Sequence, residues 1–141
     1  MKYFTLTELT RSDTAEKMHI DNTPNNVQIK ALEQLVNNVL DPAREKLGSP
    51  IRVTSGFRCD RLNKLVGGAR NSSHTKGQAT DITCYDNLKL IRILQNLTFD
   101  QLIWEKGKGQ PLWIHVSFSN RNRRQKLKTY DGKNYVTVEK F

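Results

Sequence analysis

The sequence predicts an α+β domain in which helices cover an antiparallel sheet. Two stretches carry apolar residues at helical spacing, and two short alternating runs flank a turn-rich segment in the pattern of a hairpin. The chain has 141 residues with no internal repeat, low-complexity tract or linker. It is therefore expected to form one domain over residues 1–141, large enough to bury roughly two-thirds of its unfolded surface.

In chain order, residues 1–25 read as an N-terminal arm. Thr7-Glu8-Leu9 can begin a short helical turn, and Asp21-Asn22-Thr23-Pro24 offers capping side chains followed by a proline suited to a first turn. From Val27, apolar residues including Leu32, Leu35, Val36, Val39 and Ala43 recur at steps of three and four as far as Leu47, which marks one buried helical face. Pro42 is expected to kink this helix, and Gly48 and Pro50 to end it.

Ile51-Arg52-Val53-Thr54 reads as a short strand and Ser55-Gly56-Phe57-Arg58 as a turn. Asp60 is placed to cap a short helix through Val66, which Gly67-Gly68 stops. Thr80 to Cys84 alternates as a strand, and the dense apolar residues of Asn87–Leu97 predict a second core helix. Gln101–Glu105 and Leu112–Phe118, on either side of the turn-rich Lys106–Pro111, predict an antiparallel hairpin. Val136-Thr137-Val138 adds a late edge strand.

The formal charge of +9 favours anionic partners, and on charge alone nucleic acid, an acidic membrane surface and the bacterial wall all qualify. Arg121–Lys128 holds five positive residues in eight positions, inside a basic C-terminal extension over residues 119–141. With no aromatic residue to stack on bases, this run reads as a solvated surface segment. The N-terminus lacks the apolar centre of a signal peptide, and no window approaches the roughly 18 apolar residues of a membrane span. Synthesis in the cytoplasm follows as the expectation. Cys59 and Cys84 are too few for a disulfide framework and read as free thiols.

The chemistry concentrates around the stretch Ser72-Ser73-His74-Thr75-Lys76-Gly77-Gln78-Ala79-Thr80-Asp81-Ile82. Strand alternation places Trp113, His115 and Ser117 on one face, and Ile114, Val116 and Phe118 on the core face. Likewise Ile82 turns inward while Asp81 and Thr83 share the opposite face, so Asp81 and His115 can converge across neighbouring strands. A turn at Gly77 brings His74 to the same place. Two imidazoles and a carboxylate make a three-ligand zinc site with a fourth position for water, which brings amide hydrolysis within reach near pH 7. Taken singly, each residue has a plainer reading, as a hydrogen-bonded sheet histidine or a turn aspartate. His19, in the polar arm, has no partner at ligand spacing.

The pattern Ser72-x-His74-x-x-Gly77-x-Ala79-x-Asp81-Ile82 is preceded by Thr54-Ser55-Gly56-Phe57-Arg58 and followed by Trp113-Ile114-His115-Val116-Ser117. These three motifs, in order, resemble the M15 peptidases, the D-alanyl-D-alanine carboxypeptidase and dipeptidase group. The likeness runs from Ile51 to Phe118. The N-terminal arm and Val39-Leu40-Asp41-Pro42 also look like the short phage-encoded or prophage-encoded branch.

The resemblance implies a hedgehog/DD-peptidase-like fold and one zinc ion held by His74, Asp81 and His115. It implies that Arg58 lines the substrate site, where its fork of donors suits a terminal carboxylate or the polarised peptide oxygen. Ser72 is expected to touch substrate or support a ligand, and Trp113 to form an apolar wall. Many relatives carry a glutamate or histidine a few residues before the last ligand; here the position three before His115 is Leu112. Glu105, on the partner strand, is the best remaining carboxylate for general base and later proton donor, and its place resembles the hedgehog signalling domain. Asp60 and Asp100 are weaker rivals.

The implied function is a zinc-dependent peptidase acting on peptidoglycan stems or cross-links, as a D-alanyl carboxypeptidase or an endopeptidase. A monomeric phage or prophage endolysin is expected, with no nucleic-acid partner. It would reach the wall after release from the cytoplasm or within a virion. The alternative is a non-enzymatic binding module that keeps zinc for stability.

Overall fold

The computed structural model describes residues 1–141. Its helices are α1 (Leu6–Thr10), α2 (Asp13–Lys17), α3 (Asn26–Leu35), α4 (Asp41–Leu47), α5 (Asp60–Leu65) and α6 (Asn87–Leu94). Its strands are β1 (Arg52–Ser55), β2 (Ala79–Thr83), β3 (Gln101–Glu105), β4 (Trp113–Ser117), β5 (Gln125–Thr129) and β6 (Val136–Thr137). One six-stranded sheet has the order β1-β2-β4-β3-β5-β6.

The long helix starts at Asn25, whose side chain accepts from the Gln28 backbone N–H while Gln28 reaches back in a capping box. The expected caps at Asp21–Thr23 thus lie too early. Between α3 and α4 the helix widens into a π turn, Val36–Leu40, where the Asp41 N–H bonds to the Val36 carbonyl. Pro42 sits in the first turn of α4. Its missing N–H is accommodated by the wide turn just before it, so the helix runs on to Gly48.

Leu32, Leu35, Val39 and Leu40 on this helix and Leu90, Ile91 and Leu94 on α6 pack against Ile82, Leu102, Ile114 and Val116 of the sheet, all with no exposed surface. Each such side chain contributes about 1.5–3 kcal/mol on burial. Phe4 and Leu9 of the arm join the same core.

Three local readings are corrected. Asp60 is the first residue of α5 rather than its cap; Cys59 takes the capping position without a side-chain hydrogen bond. Cys84, which strand alternation puts on the core-directed face of Ile82 and so predicts to be buried, is only partly so, because β2 ends at Thr83; both cysteines are free thiols. The sheet is not wholly antiparallel, since β5 runs parallel to β3. After β4 the chain reverses through residues 118–124 and pairs beyond β3 rather than beside β4, and this skip forces the parallel direction. Asp100 secures the reversal by accepting from the Arg123 backbone and its guanidinium at 3.1, 2.9 and 2.9 Å. No helix is long and apolar enough to cross a membrane.

Candidate metal centre

Three elements bring the three named side chains to one point. Asp81 of β2 and His115 of β4 are register partners, and His74 arrives on a single 3-10 turn, Ser73–Lys76, that ends at Gly77 with φ +71°. The Asp81 Oδ1 lies 3.1 Å from His115 Nδ1 and 3.4 Å from His74 Nε2, and the two rings stand 5.2 Å apart at 65°. One donor atom from each of the three residues falls within 4.8 Å of the others.

The backbone around β1 sets the orientation of His74. Its Nδ1 lies 2.8 Å from the Gly56 carbonyl, which can only accept, so the ring carries its proton there. Gly56 must be glycine, because a Cβ would run into the Leu9 carbonyl of α1. In the neutral ring Nε2 then turns a lone pair toward the Asp81 carboxylate, acceptor against acceptor. A cation or an extra proton between them resolves that conflict. A divalent ion suits the position, since two imidazoles and a carboxylate with a hydrogen-bonded outer nitrogen are a donor set for zinc. Burial alone would raise the Asp81 carboxyl, yet where an extra proton lies between it and the imidazoles, their hydrogen bonds and positive charge hold it well below the usual carboxylate range.

These groups open into a cavity of about 430 Å³ shared with Arg58, Ser72, Glu105 and Trp113. Glu105 pairs with Trp113 across the hairpin and shares the site face with His115. Burial raises its carboxyl above the ordinary glutamate range; the nearby His115 partly offsets this and Asp81 adds to it. Ser72 Oγ accepts from the His74 N–H at 3.2 Å and lies 3.4 Å from an Arg58 guanidinium nitrogen, while Arg58 Nε is buried without a partner. A larger cavity, about 690 Å³, lies beyond β1 and also touches Arg58. It holds no histidine, and the group that could hold a metal ion lines the smaller one. Trp104 is buried in the core, and Asp100 is bound to Arg123, so neither enters the site.

The cavity is also lined by Gln101, Ile103, Leu127 and Tyr135, which the sequence reading did not identify. Ile103 was within reach, two residues before Glu105 on the same face. Leu127 was hidden in the basic run, although Lys126-Leu127-Lys128-Thr129 alternates as a strand does.

A buried imidazole, a carboxylate and a second imidazole around one point, with a further glutamate lining the same cavity, make a group that could hold one metal ion. The family profile described as Peptidase M15 matches residues 2–117, and the chain belongs to that family. Membership supports a metallopeptidase, in a family that depends on zinc and acts on peptidoglycan. No curated protein matches the chain significantly.

Proposed function

We propose that the protein is a zinc-dependent peptidase that hydrolyses amide bonds in the peptide stems or cross-links of bacterial peptidoglycan, serving as a phage or prophage lysin. The observation that carries the reading is the convergence of His74, Asp81 and His115 on the face that also bears Glu105. His74, Asp81 and His115 are the metal ligands, and Glu105 and Arg58 the catalytic residues. When bound, zinc supplies a Lewis acid and an acidified water.

Glu105 takes a proton from the attacking water on its carboxylate and returns it to the leaving amine. Its raised pKa suits this traffic, because a stronger base than an ordinary glutamate holds the proton until the amine needs it. Arg58 binds the terminal carboxylate or the developing oxyanion, and its guanidinium, which lines the cavity with one long contact to Ser72, keeps donors free for that task. Ser72 positions the guanidinium, and Trp113 walls the site. The phage or prophage origin rests on the likeness of the arm, and the charge of +9 favours contact with an anionic wall.

Mass spectrometry of muropeptides incubated with zinc-loaded protein tests the reading. A fragment that appears only with metal present, and disappears with chelator, supports it and identifies the bond. Binding of muropeptides with no cleavage at any zinc loading would instead leave a zinc-stabilised binding module.

A further inference from the structure

We propose that β5 and β6, outside the region matched by the family profile, build the seat for the substrate residues that precede the cleaved bond, with Leu127 as its apolar floor and Tyr135 as its hydrogen-bonding wall. The inference rests on the peptidase reading above. Asp81, His115, Ile103 and Leu127 are successive register partners across β2, β4, β3 and β5. Register partners project to the same side of a sheet, so the four side chains form one row.

The row changes character along its length. It begins at the His/Asp/His group, passes Ile103, which is 7% exposed, and ends at half-buried Leu127. Leu127 takes no part in the hydrophobic core and faces the same cavity as the imidazoles. Strands stand about 4.8 Å apart, so Leu127 lies roughly 10 Å from the His115 strand, the reach of about three extended residues. Tyr135, just before β6, borders the strip while remaining 48% exposed, and its hydroxyl has one long contact, 3.3 Å to the Gly132 carbonyl. On the opposite margin Gln101 and Gln125 bond to each other at 2.7 Å.

The two ends of the cleft therefore select for different chemistry. Arg58, beside Ser72, offers a guanidinium to an anionic group. Ile103 and Leu127 offer an apolar strip, with a phenol at its edge. A peptide anchored by its carboxylate at Arg58 crosses the centre and lays its preceding residues on the strip. An alanyl methyl, or the aliphatic stem of a longer side chain whose charged head stays in solvent, fits there, whereas a charge set directly against the two aliphatic residues is left desolvated.

Steady-state hydrolysis of synthetic stem peptides ending in D-alanyl-D-alanine, as pentapeptide, tripeptide and dipeptide, provides the test with zinc-loaded wild type, Tyr135→Phe and Leu127→Ala. On the pentapeptide each variant should raise KM about fivefold to tenfold, the value of one hydrogen bond or a few apolar contacts, with kcat within about twofold. The penalty should shrink as the peptide shortens. Calorimetric binding of the cleaved tetrapeptide should weaken by the same factor. Equal KM values for all three proteins, or the same penalty on every peptide length, overturn the inference while leaving the peptidase reading intact. If wild type cleaves none of these peptides but releases fragments from muropeptides, the inference falls and the peptidase reading stands; if it cleaves neither, both fall. Tyr135→Phe removes only a hydroxyl that has no core contact, so the test does not depend on whether Leu127→Ala stays folded.

Discussion

The two faces of the sheet are built from the same strands and differ in almost every other respect. Ile82, Ile114, Val116 and Trp104 face the helices and are buried among apolar neighbours. One residue away along each strand, Asp81, His115 and Glu105 face a cavity, where Asp81 and His115 meet each other at 3.1 Å and Glu105 is partly desolvated with no ion-pair partner. The back face holds the front face still. The positions of the site atoms are thus borrowed from packing that has no chemistry of its own, and substitutions on the two faces should leave opposite signatures.

The largest effect is expected on the front. Glu105→Gln should lower kcat by about a hundredfold to ten-thousandfold, the range for losing a general acid–base group. The fold should survive it. Because burial raises the Glu105 pKa, the ionised carboxylate disfavours the folded state at neutral pH, and a neutral amide removes that penalty. Urea denaturation at pH 7 should therefore show stability equal to or above wild type. In the wild type, the acid limb of kcat/KM should lie above the range of an ordinary glutamate, and the residual rate of the variant should lack that limb.

The back face should answer in the reverse manner. Ile114→Ala deletes a fully buried side chain next to His115 and should cost about 2–5 kcal/mol in urea denaturation. Below the unfolding transition kcat should change far less than in Glu105→Gln. A variant of Ile114 that lost activity without losing stability would break the division between the faces.

The same division explains how much could be read from the sequence. Alternation separated Ile114 and Val116 from His115, and Ile82 from Asp81, because a strand with one wet and one buried face writes its geometry directly into residue order. Helical periodicity likewise marked Leu32 to Leu47. The parallel strand β5 was not legible in the same way. Its direction follows from a chain reversal fixed by Asp100 and Arg123, a contact between residues 23 apart that no local pattern announces. Leu127 and Tyr135 entered the site with it. The π turn before Pro42 was also invisible, since it satisfies the periodicity of the helix that it interrupts.

Zinc should sharpen the comparison from the front. Metal that binds the folded chain alone raises its stability by about 2.7 kcal/mol at a hundredfold excess over Kd. Thermal denaturation with and without zinc should show this gain, and a chelator should remove it. His74→Ala should abolish the zinc-dependent shift, because it deletes the nitrogen that faces Asp81 at 3.4 Å. An undiminished shift in that variant would place the ion elsewhere.

The smallest effect separates two buried carboxylates. Asp81 meets imidazoles, and on the proposed reading a cation between them completes its environment. Asp100 is completed by the chain itself, through hydrogen bonds from Arg123 that hold its carboxyl below the usual range despite burial. Its contribution should be fully present above the unfolded pKa, about 3.9, and should be lost as the pH falls through the lower folded value. Asp100→Asn should cost about 1.5–3 kcal/mol at pH 7, the worth of hydrogen bonds to a charged group, and should flatten the decline of stability below about pH 4. Zinc should not alter that cost, since the pair lies outside the cavity. If zinc changed it, the reversal at residues 118–124 would be mechanically coupled to the centre, and the sheet's outer strands would form part of the metal site's support.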